Sequence, residues 1–349
     1  MRNVVTKLPT VEDVAKVAGV SRQTVSNVLN SPGIVRETTR KRVEQAIDEL
    51  KYRPSAAARQ LRTRRSSAIG VHLDPYSGGI SGVLLDRFVH ALTERASERG
   101  MRVCVYSART PEEEMERLGA LIDGGEIDAA VVTGTFYGDP RTGWLTQKNL
   151  PFVSFGRPWG GDDVFASAHS WVDVDGAVGT AAATTWALAN AGPRVGWFGW
   201  PSDQGTGDDR RRGWQEAMSA AGASGPVFEV ADDVVAARQL MTAALAEDGL
   251  RDRLDALVCV SDSLAVAAHL AAADAGRQDL TVIGFDNTPV AEALGLPSVE
   301  QSPELVAAGA LDLLMGETGT VVAPLDSATP AEHVLVAPRL VVREPALHR

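Results

Sequence analysis

Apolar residues in the first fifty positions recur with the period of a helix. Val11, Val14, Ala15 and Ala18 fall at i, i+3, i+4 and i+7, on one face of a helix that Thr10 caps and Gly19 ends. Ser21 then caps a second helix with the apolar face Val25, Val28 and Leu29, and the short turn between the two hinges at Gly19. A third helix over about 37–50 turns Val43, Ala46, Ile47 and Leu50 inward. Short faces of this kind close one very small core, the grammar of a small all-α helix-turn-helix head over residues 8–54.

The period changes after residue 66. Apolar runs at 68–73, 102–106 and 129–133 read as strands, with helical patterns over 84–99 and 112–124 between them. The alternation resumes with strands at 195–199, 256–260 and 281–285, followed by helices near 211–221, 264–275 and Pro289. Two such blocks predict an α/β body over 66–349 built as two parallel-sheet lobes. Ligands of open parallel sheets sit beyond the carboxyl ends of the strands. The loops after these runs therefore line the expected cleft: Tyr76 and Ser81 after the first, Thr206 and Arg210 in "PSDQGTGDDRRRGW", Ser261, and Asp286 with Asn287.

Charge redraws this picture. The whole chain has 34 Lys and Arg against 45 Asp and Glu, a formal charge of −11 that argues against an acidic partner. Residues 1–65, however, hold 14 against 6, a net of +8, which leaves 20 against 39, a net of −19, for residues 66–349. On the basic head, Ser21, Arg22, Gln23, Thr24, Ser26 and Asn27 occupy the face of the second helix turned away from the apolar one. Such a face is commonly just solvated. Here arginine can pair bidentately with guanine, and glutamine or asparagine with adenine, from the N-terminal part of the helix that reaches major-groove base edges. Arg36, Arg40, Lys41 and Arg42 suit phosphates, which position a protein on the duplex without reading sequence. The face is therefore expected to touch DNA.

Residues 55–65 join head to body. In "SAAARQLRTRR", Ser55 can cap a helix of good propensity that is too short to be stable alone in water, so it should fold only when docked. Leu61 can wedge between base steps from the minor groove, or pack against its own domain.

Other chemistry is sparse. Cys104 and Cys259 lie in apolar runs and read as core residues, and neither shares metal-ligand spacing with the six histidines. No nucleophile elbow or phosphate loop occurs, and neither His72 nor His169 has an identifiable catalytic partner, so no enzyme, cofactor or metal is expected. Without a signal-peptide run or a membrane-length apolar stretch, a cytoplasmic protein is expected.

The run from "PTVEDVAKVAGVSRQTVSNVLN" through "TRKRVEQAIDELKYRPSAAARQLRT" resembles the head of LacI-family transcriptional regulators over almost its whole length. The resemblance implies base reading by Arg22, Gln23 and Asn27, a hinge helix over about 55–62, Ala58 against the groove floor and Leu61 as the minor-groove lever. It also implies heads that bind in pairs on palindromic operators. "IGFDN" and "DDRRRGWQEA" resemble the family's regulatory domain, itself similar to periplasmic sugar-binding proteins, and imply effector contacts at Arg210 and Asp286. Asp286 also reads as a turn or cap residue in "FDNTP". Ser261 stands where sugar-binding members often carry asparagine. "FGRPW" and "WVDVDG" resemble sugar-responsive actinobacterial members, which brings in Asp175, with Trp171 as an aromatic platform or a core residue.

Guanidinium forks and carboxylates suit vicinal hydroxyls, and rings suit the apolar face of a pyranose. The expected protein is a homodimeric repressor controlled by a sugar, with a glucose-based disaccharide such as cellobiose implied by resemblance alone. A corepressor-dependent regulator of the same fold and a sugar-active enzyme are the alternatives.

Overall fold

The computed structural model describes residues 9–53, 65–73, 80, 82–160, 165, 167–247, 249–250, 253–316, 321 and 331–343. The chain divides into two compact units, Met1–Ser66 and Ser67–Arg349.

In the first unit, α1 (Val11–Ala18), α2 (Arg22–Asn30) and α3 (Glu37–Leu50) form where the apolar spacing places them. Thr10 and Asp13 make a reciprocal capping box, with the Thr10 N–H donating to Asp13 Oδ2 at 2.8 Å. Gly19 ends α1 at φ +63°, a left-handed conformation that glycine adopts without a Cβ penalty. Ser21 Oγ accepts the Thr24 N–H at 3.1 Å and starts α2. Val14, Ala15, Ala18, Val25, Val28, Val43, Ala46 and Tyr52 are the buried core of this unit. Ser55, Ala58 and Leu61 lie outside the described residues.

Among its described residues the second unit contains two six-stranded sheets. One has the order β11-β5-β4-β3-β1-β2, all parallel, from β1 (Ala68–Leu73), β2 (Arg102–Ser107), β3 (Ala129–Thr133), β4 (Phe152–Phe155), β5 (Trp171–Val174) and β11 (His333–Val336). The other has the order β12-β10-β9-β8-β6-β7, from β6 (Val195–Gly199), β7 (Val227–Glu229), β8 (Ala256–Cys259), β9 (Thr281–Phe285), β10 (Ser298–Glu300) and β12 (Arg339–Val341). Only β12 runs antiparallel.

Helices cover both sheets. The first packs against α4 (Gly82–Glu98), α5 (Pro111–Asp123) and α6 (Pro140–Lys148), and the second against α7 (Gly176–Asn190), α8 (Thr206–Ala220), α9 (Val234–Leu245), α10 (Asp262–Asp274) and α11 (Pro289–Ala293). A late helix, α12 (Pro303–Met315), returns to the first lobe, where Val306, Ala310 and Leu311 meet Phe88 and Leu92 of α4.

Among the described residues the chain passes between lobes at three places, from β5 to α7, from β10 to α12 and from β11 to β12. These crossings are packed together. A Cβ added at Gly179 of α7 would lie 2.8 Å from Pro338 and 2.9 Å from Val299.

One expected boundary moves. The segment from Thr206 to Arg210, expected as loop, is the first turn of α8, because Gly205 at φ +46° turns the chain straight from the β6 loop into the helix. That turn places Asp209 and Arg210 on a rigid element.

Candidate functional site: a helix face and an interlobe cleft

On the head, the exposed side of α2 carries paired polar groups. Arg22 Nη1 lies 2.9 Å from Glu12 Oε1 of α1, and Gln23 Nε2 donates to Asn27 Oδ1 at 3.0 Å. Ser21 and Thr24 hydroxyls share a hydrogen bond of 2.9 Å, and Asn30 donates to the Ser26 carbonyl at 2.6 Å. Val25 and Val28 face the core, so Arg22, Gln23, Ser26 and Asn27 are left together on the outer side. On α3, Lys41 is exposed and pairs with Glu37 at 2.9 Å, one turn back on the same helix.

In the body, a cavity of about 480 Å³ opens between the carboxyl ends of the two sheets. The first lobe contributes Thr133 at the end of β3 with Gly134, Thr135 and Phe136 after it, Gly156 and Trp159 after β4, and Asp173 on β5. The second contributes Trp200 after β6, Thr206, Asp209 and Arg210 on α8, Asp286 after β9 and Gln301 after β10. A smaller cavity of about 170 Å³ shares Thr135, Phe136 and Trp159 with it and reaches His169.

Arg210 and Asp286 are buried at the centre of this wall. Arg210 Nη1 donates to the Val260 carbonyl at 2.6 Å and lies 3.7 Å from Asp286 Oδ1, while its guanidinium carbon sits 3.8 Å from the Phe285 ring centroid. Its Nε finds no acceptor among the described residues, which is rare for a buried donor. Asp286 accepts from Gln301 Nε2 at 2.5 Å and holds φ +113°, a conformation that costs an L-residue on the order of 1–3 kcal/mol and clusters at binding sites. Burial pushes its carboxyl up to about 8, against the pull of Arg210. Burial pushes the Arg210 guanidinium down, though that group stays charged.

Arg157 and Trp159 join the lobes beside the cavity. Arg157, between β4 and β5, donates from Nε to Asp173 Oδ2 at 2.7 Å and from Nη2 to Asp209 Oδ2 of the other lobe at 3.3 Å. The Trp159 ring lies on Gly205, where an added Cβ would come within 2.5 Å of it.

The expected site residues separate accordingly. Thr206, Arg210 and Asp286 line the cavity together. Thr288, not Asp286, caps the helix after "FDN", its side chain accepting the Ala291 N–H. Asp175 is instead the N-cap of α7, accepting the Val178 N–H at 3.1 Å, and Asp173, two residues earlier, faces the cleft. Ser261 is fully buried as the N-cap of α10, and its Oγ donates to Asp232 Oδ1 at 2.6 Å. Trp171 is a core residue, stacked on His333 with centroids 4.8 Å apart; it opens β5, so it sits at the strand's amino end while the cavity lies at the carboxyl end. Tyr76 and Ser81 lie outside the described residues. Trp159, Trp200, Asp173, Asp209 and Gln301 are cleft residues that the sequence reading did not assign. Position one to four residues past a strand was the available signal for the two tryptophans.

Among the described residues no group of acidic, histidine or cysteine side chains can hold a metal ion, and no helix is long and apolar enough to cross a membrane. Cys259 is buried, which pushes its thiol up, as fits a core residue.

Two family models match: bacterial regulatory proteins, lacI family, over residues 10–55, and the periplasmic binding protein-like domain over residues 188–345. The HTH-type transcriptional regulator CelR of Thermobifida fusca is 32% identical over 335 residues, 89% of this chain and 93% of that protein. The HTH-type transcriptional repressor PurR of Photobacterium profundum is 25% identical over 88% of this chain and 91% of its own. Among solved structures, a transcriptional regulator CelR–cellobiose complex is 28% identical, with a TM-score of 0.66, over 97% of this chain and 100% of that one. A regulatory protein of the LacI family from Chloroflexus aggregans is 27% identical, with a TM-score of 0.70, over 80% of this chain and 98% of that one.

Proposed function

Since this chain belongs to the LacI family of bacterial regulatory proteins, we propose that it is a homodimeric repressor that reads a palindromic operator through α2 and answers to a sugar bound between its lobes. The favoured effector is a glucose-based disaccharide such as cellobiose. The observation that carries the effector reading is the buried Arg210–Asp286 pair facing the same cavity as Trp159 and Trp200. The guanidinium fork and a carboxyl group that can both accept and donate suit vicinal hydroxyls, and the rings suit the C–H face of a pyranose. The adjoining smaller cavity gives room beyond one ring.

Arg22, Gln23 and Asn27 supply the base readout, with Ser21, Thr24 and Ser26 beside them, while Lys41 and its arginine neighbours hold phosphates. Ser55, Ala58 and Leu61 are proposed to complete the DNA contact in the minor groove. The body works by linkage: ligand shifts operator occupancy only through its differential affinity for two arrangements of the lobes. A coupling of about 1–3 kcal/mol changes occupancy about 5- to 150-fold.

The test is selection of bound duplexes from a random DNA pool by the purified protein, repeated with cellobiose, maltose and glucose. A palindrome enriched without sugar and lost with one of them is the expected result. A palindrome enriched only with ligand makes the protein a corepressor-dependent regulator, and no enrichment under any condition refutes the DNA-binding reading.

A further inference from the structure

We infer that Asp232 is a positioning residue for effector recognition, holding the Trp200 ring as one wall of the cleft through an anchor shared with Ser261; this rests on reading the interlobe cavity as the effector site.

Three loops from the carboxyl ends of neighbouring strands meet at one oxygen. Trp200 follows β6, Asp232 follows β7 and Ser261 follows β8. Trp200 Nε1 donates to Asp232 Oδ1 at 3.2 Å, and Ser261 Oγ donates to the same atom at 2.6 Å. Ser261 in turn accepts the Leu264 N–H at 3.4 Å, so the anchor is tied to the first turn of α10.

The face of the ring is set as firmly as its edge. A Cβ added at Gly207 of α8 would come within 3.1 Å of Trp200 Cε3, and the Arg210 guanidinium carbon lies 5.8 Å from the ring centroid. With its N–H taken up by Asp232, the indole keeps its one polar atom occupied and meets a ligand through carbon surface, the complement of a sugar's C–H face. Loss of Asp232 leaves a half-buried N–H that must find another acceptor, and turning the ring to do so spoils the wall.

The N-cap of the neighbouring helix α9 is a different residue, Asp233, whose side chain accepts the Ala236 N–H at 2.8 Å. The charge of Asp232 is a second influence to separate from the anchor. It acts on Arg210 and Asp286 too, and that contribution is separable by an amide of the same shape.

The experiment titrates the full chain with cellobiose, maltose and glucose by calorimetry, for the wild type and the variants D232A, D232N and W200F, alone and combined. For a sugar the wild type binds, D232A should weaken binding about tenfold, the scale of one hydrogen bond, and D232N, whose amide oxygen accepts both bonds, should retain wild-type affinity within about threefold. W200F should weaken binding too, and D232A on top of W200F should cost nothing more. Equal losses in D232N and D232A, additive losses, or no loss in D232A overturn the inference. If no sugar binds the wild type, the cavity reading falls instead, and near-ultraviolet circular dichroism decides the anchor: D232A must alter the wild-type spectrum but not that of W200F, and an unaltered spectrum overturns it.

Discussion

Gly213 offers the sharpest check on how the cleft is held. It lies on the buried side of α8, where a Cβ would come 2.0 Å from the Ala177 carbonyl oxygen and 2.7 Å from its carbon, both backbone atoms of α7. No rotamer change relieves a clash with main chain, so Gly213→Ala must drive α8 away from α7 by roughly 1 Å, at a cost in the upper part of the range typical of overpacking, about 2–3 kcal/mol. Against this, alanine gains about 1 kcal/mol of helix propensity over glycine. The balance is a net loss of about 1–2 kcal/mol, which lowers the midpoint of a domain this size by about 2–8 °C.

The same shift carries function. Asp209 and Arg210 lie one turn before Gly213, and Asp209 Oδ2 accepts the Ala177 N–H at 3.1 Å at that helix crossing. Effector affinity should therefore fall together with stability. Gly143 is the internal control: it is exposed in the middle of α6, and a Cβ there meets nothing within 4 Å. Gly143→Ala should stabilise by about 0.5–1 kcal/mol, opposite in sign to Gly213→Ala. Thermal unfolding of both variants beside the wild type checks this. A Gly213→Ala protein as stable as the wild type, or both variants shifting the same way, would refute the close-approach argument.

Arg22→Ala should cost about 1–3 kcal/mol at one or two operator positions, while Lys41→Ala should weaken binding to every duplex and lower the salt slope by about 1. Equal losses on all sequences for both variants, measured across salt concentrations, would overturn the division between reading and positioning. Arg157→Ala leaves the buried Asp173 carboxylate without its counter-charge, while Asp209 keeps Arg212 at 2.6 Å, and denaturant unfolding should report a loss of about 3–5 kcal/mol. A loss below about 1 kcal/mol would show that Asp173 finds another partner. Asp286 holds its proton in the folded protein up to about 8, whereas an unfolded aspartate releases it near 4. The folded state therefore binds more protons between those values, and stability falls as pH rises through them. Asp286→Asn lacks that slope, so its stability should gain on the wild type from pH 4 to pH 8. Parallel stability–pH curves would refute the shift.

Elements were legible where one local rule settled them. The head's caps at Thr10, Gly19 and Ser21 are each decided within a few residues of chain, and the structure places all three where the apolar spacing does. The central strands carry uninterrupted apolar runs because both of their faces are covered, and β3, β6 and β9 coincide with the expected ranges. The start of α8 was not legible, because "DQGTGDD" has loop composition and becomes helix through tertiary contacts such as Asp209 with Arg157 and Ala177. The places of Trp171, a core residue, and Asp175, a helix cap, were not legible for a related reason. Both sit in the motif that carries the resemblance and share the parity of Asp173, but a strand has a near and a far end. Asp173 lies at the carboxyl end of β5 that reaches the cleft, whereas Trp171 opens the strand and Asp175 lies beyond it as the cap of α7.

The residues least legible in the sequence are those that make ligand binding and lobe position one event. Arg157 spans from Asp173 to Asp209 and Trp159 lies on Gly205, so both contacts exist only at one separation of the lobes. A ligand among Trp159, Trp200, Arg210 and Asp286 likewise touches both lobes, and its affinity must depend on the same separation. Each hydrogen bond gained in one arrangement and absent from the other is worth about 0.5–1.5 kcal/mol, or about 1.5–3 kcal/mol when one partner is charged. One or two such differences already cover the coupling of about 1–3 kcal/mol that regulation needs. No long-range strain has to be invoked: a sugar that completes contacts across the cleft has the differential affinity an allosteric effector requires, supplied by where the chain crosses between its two sheets.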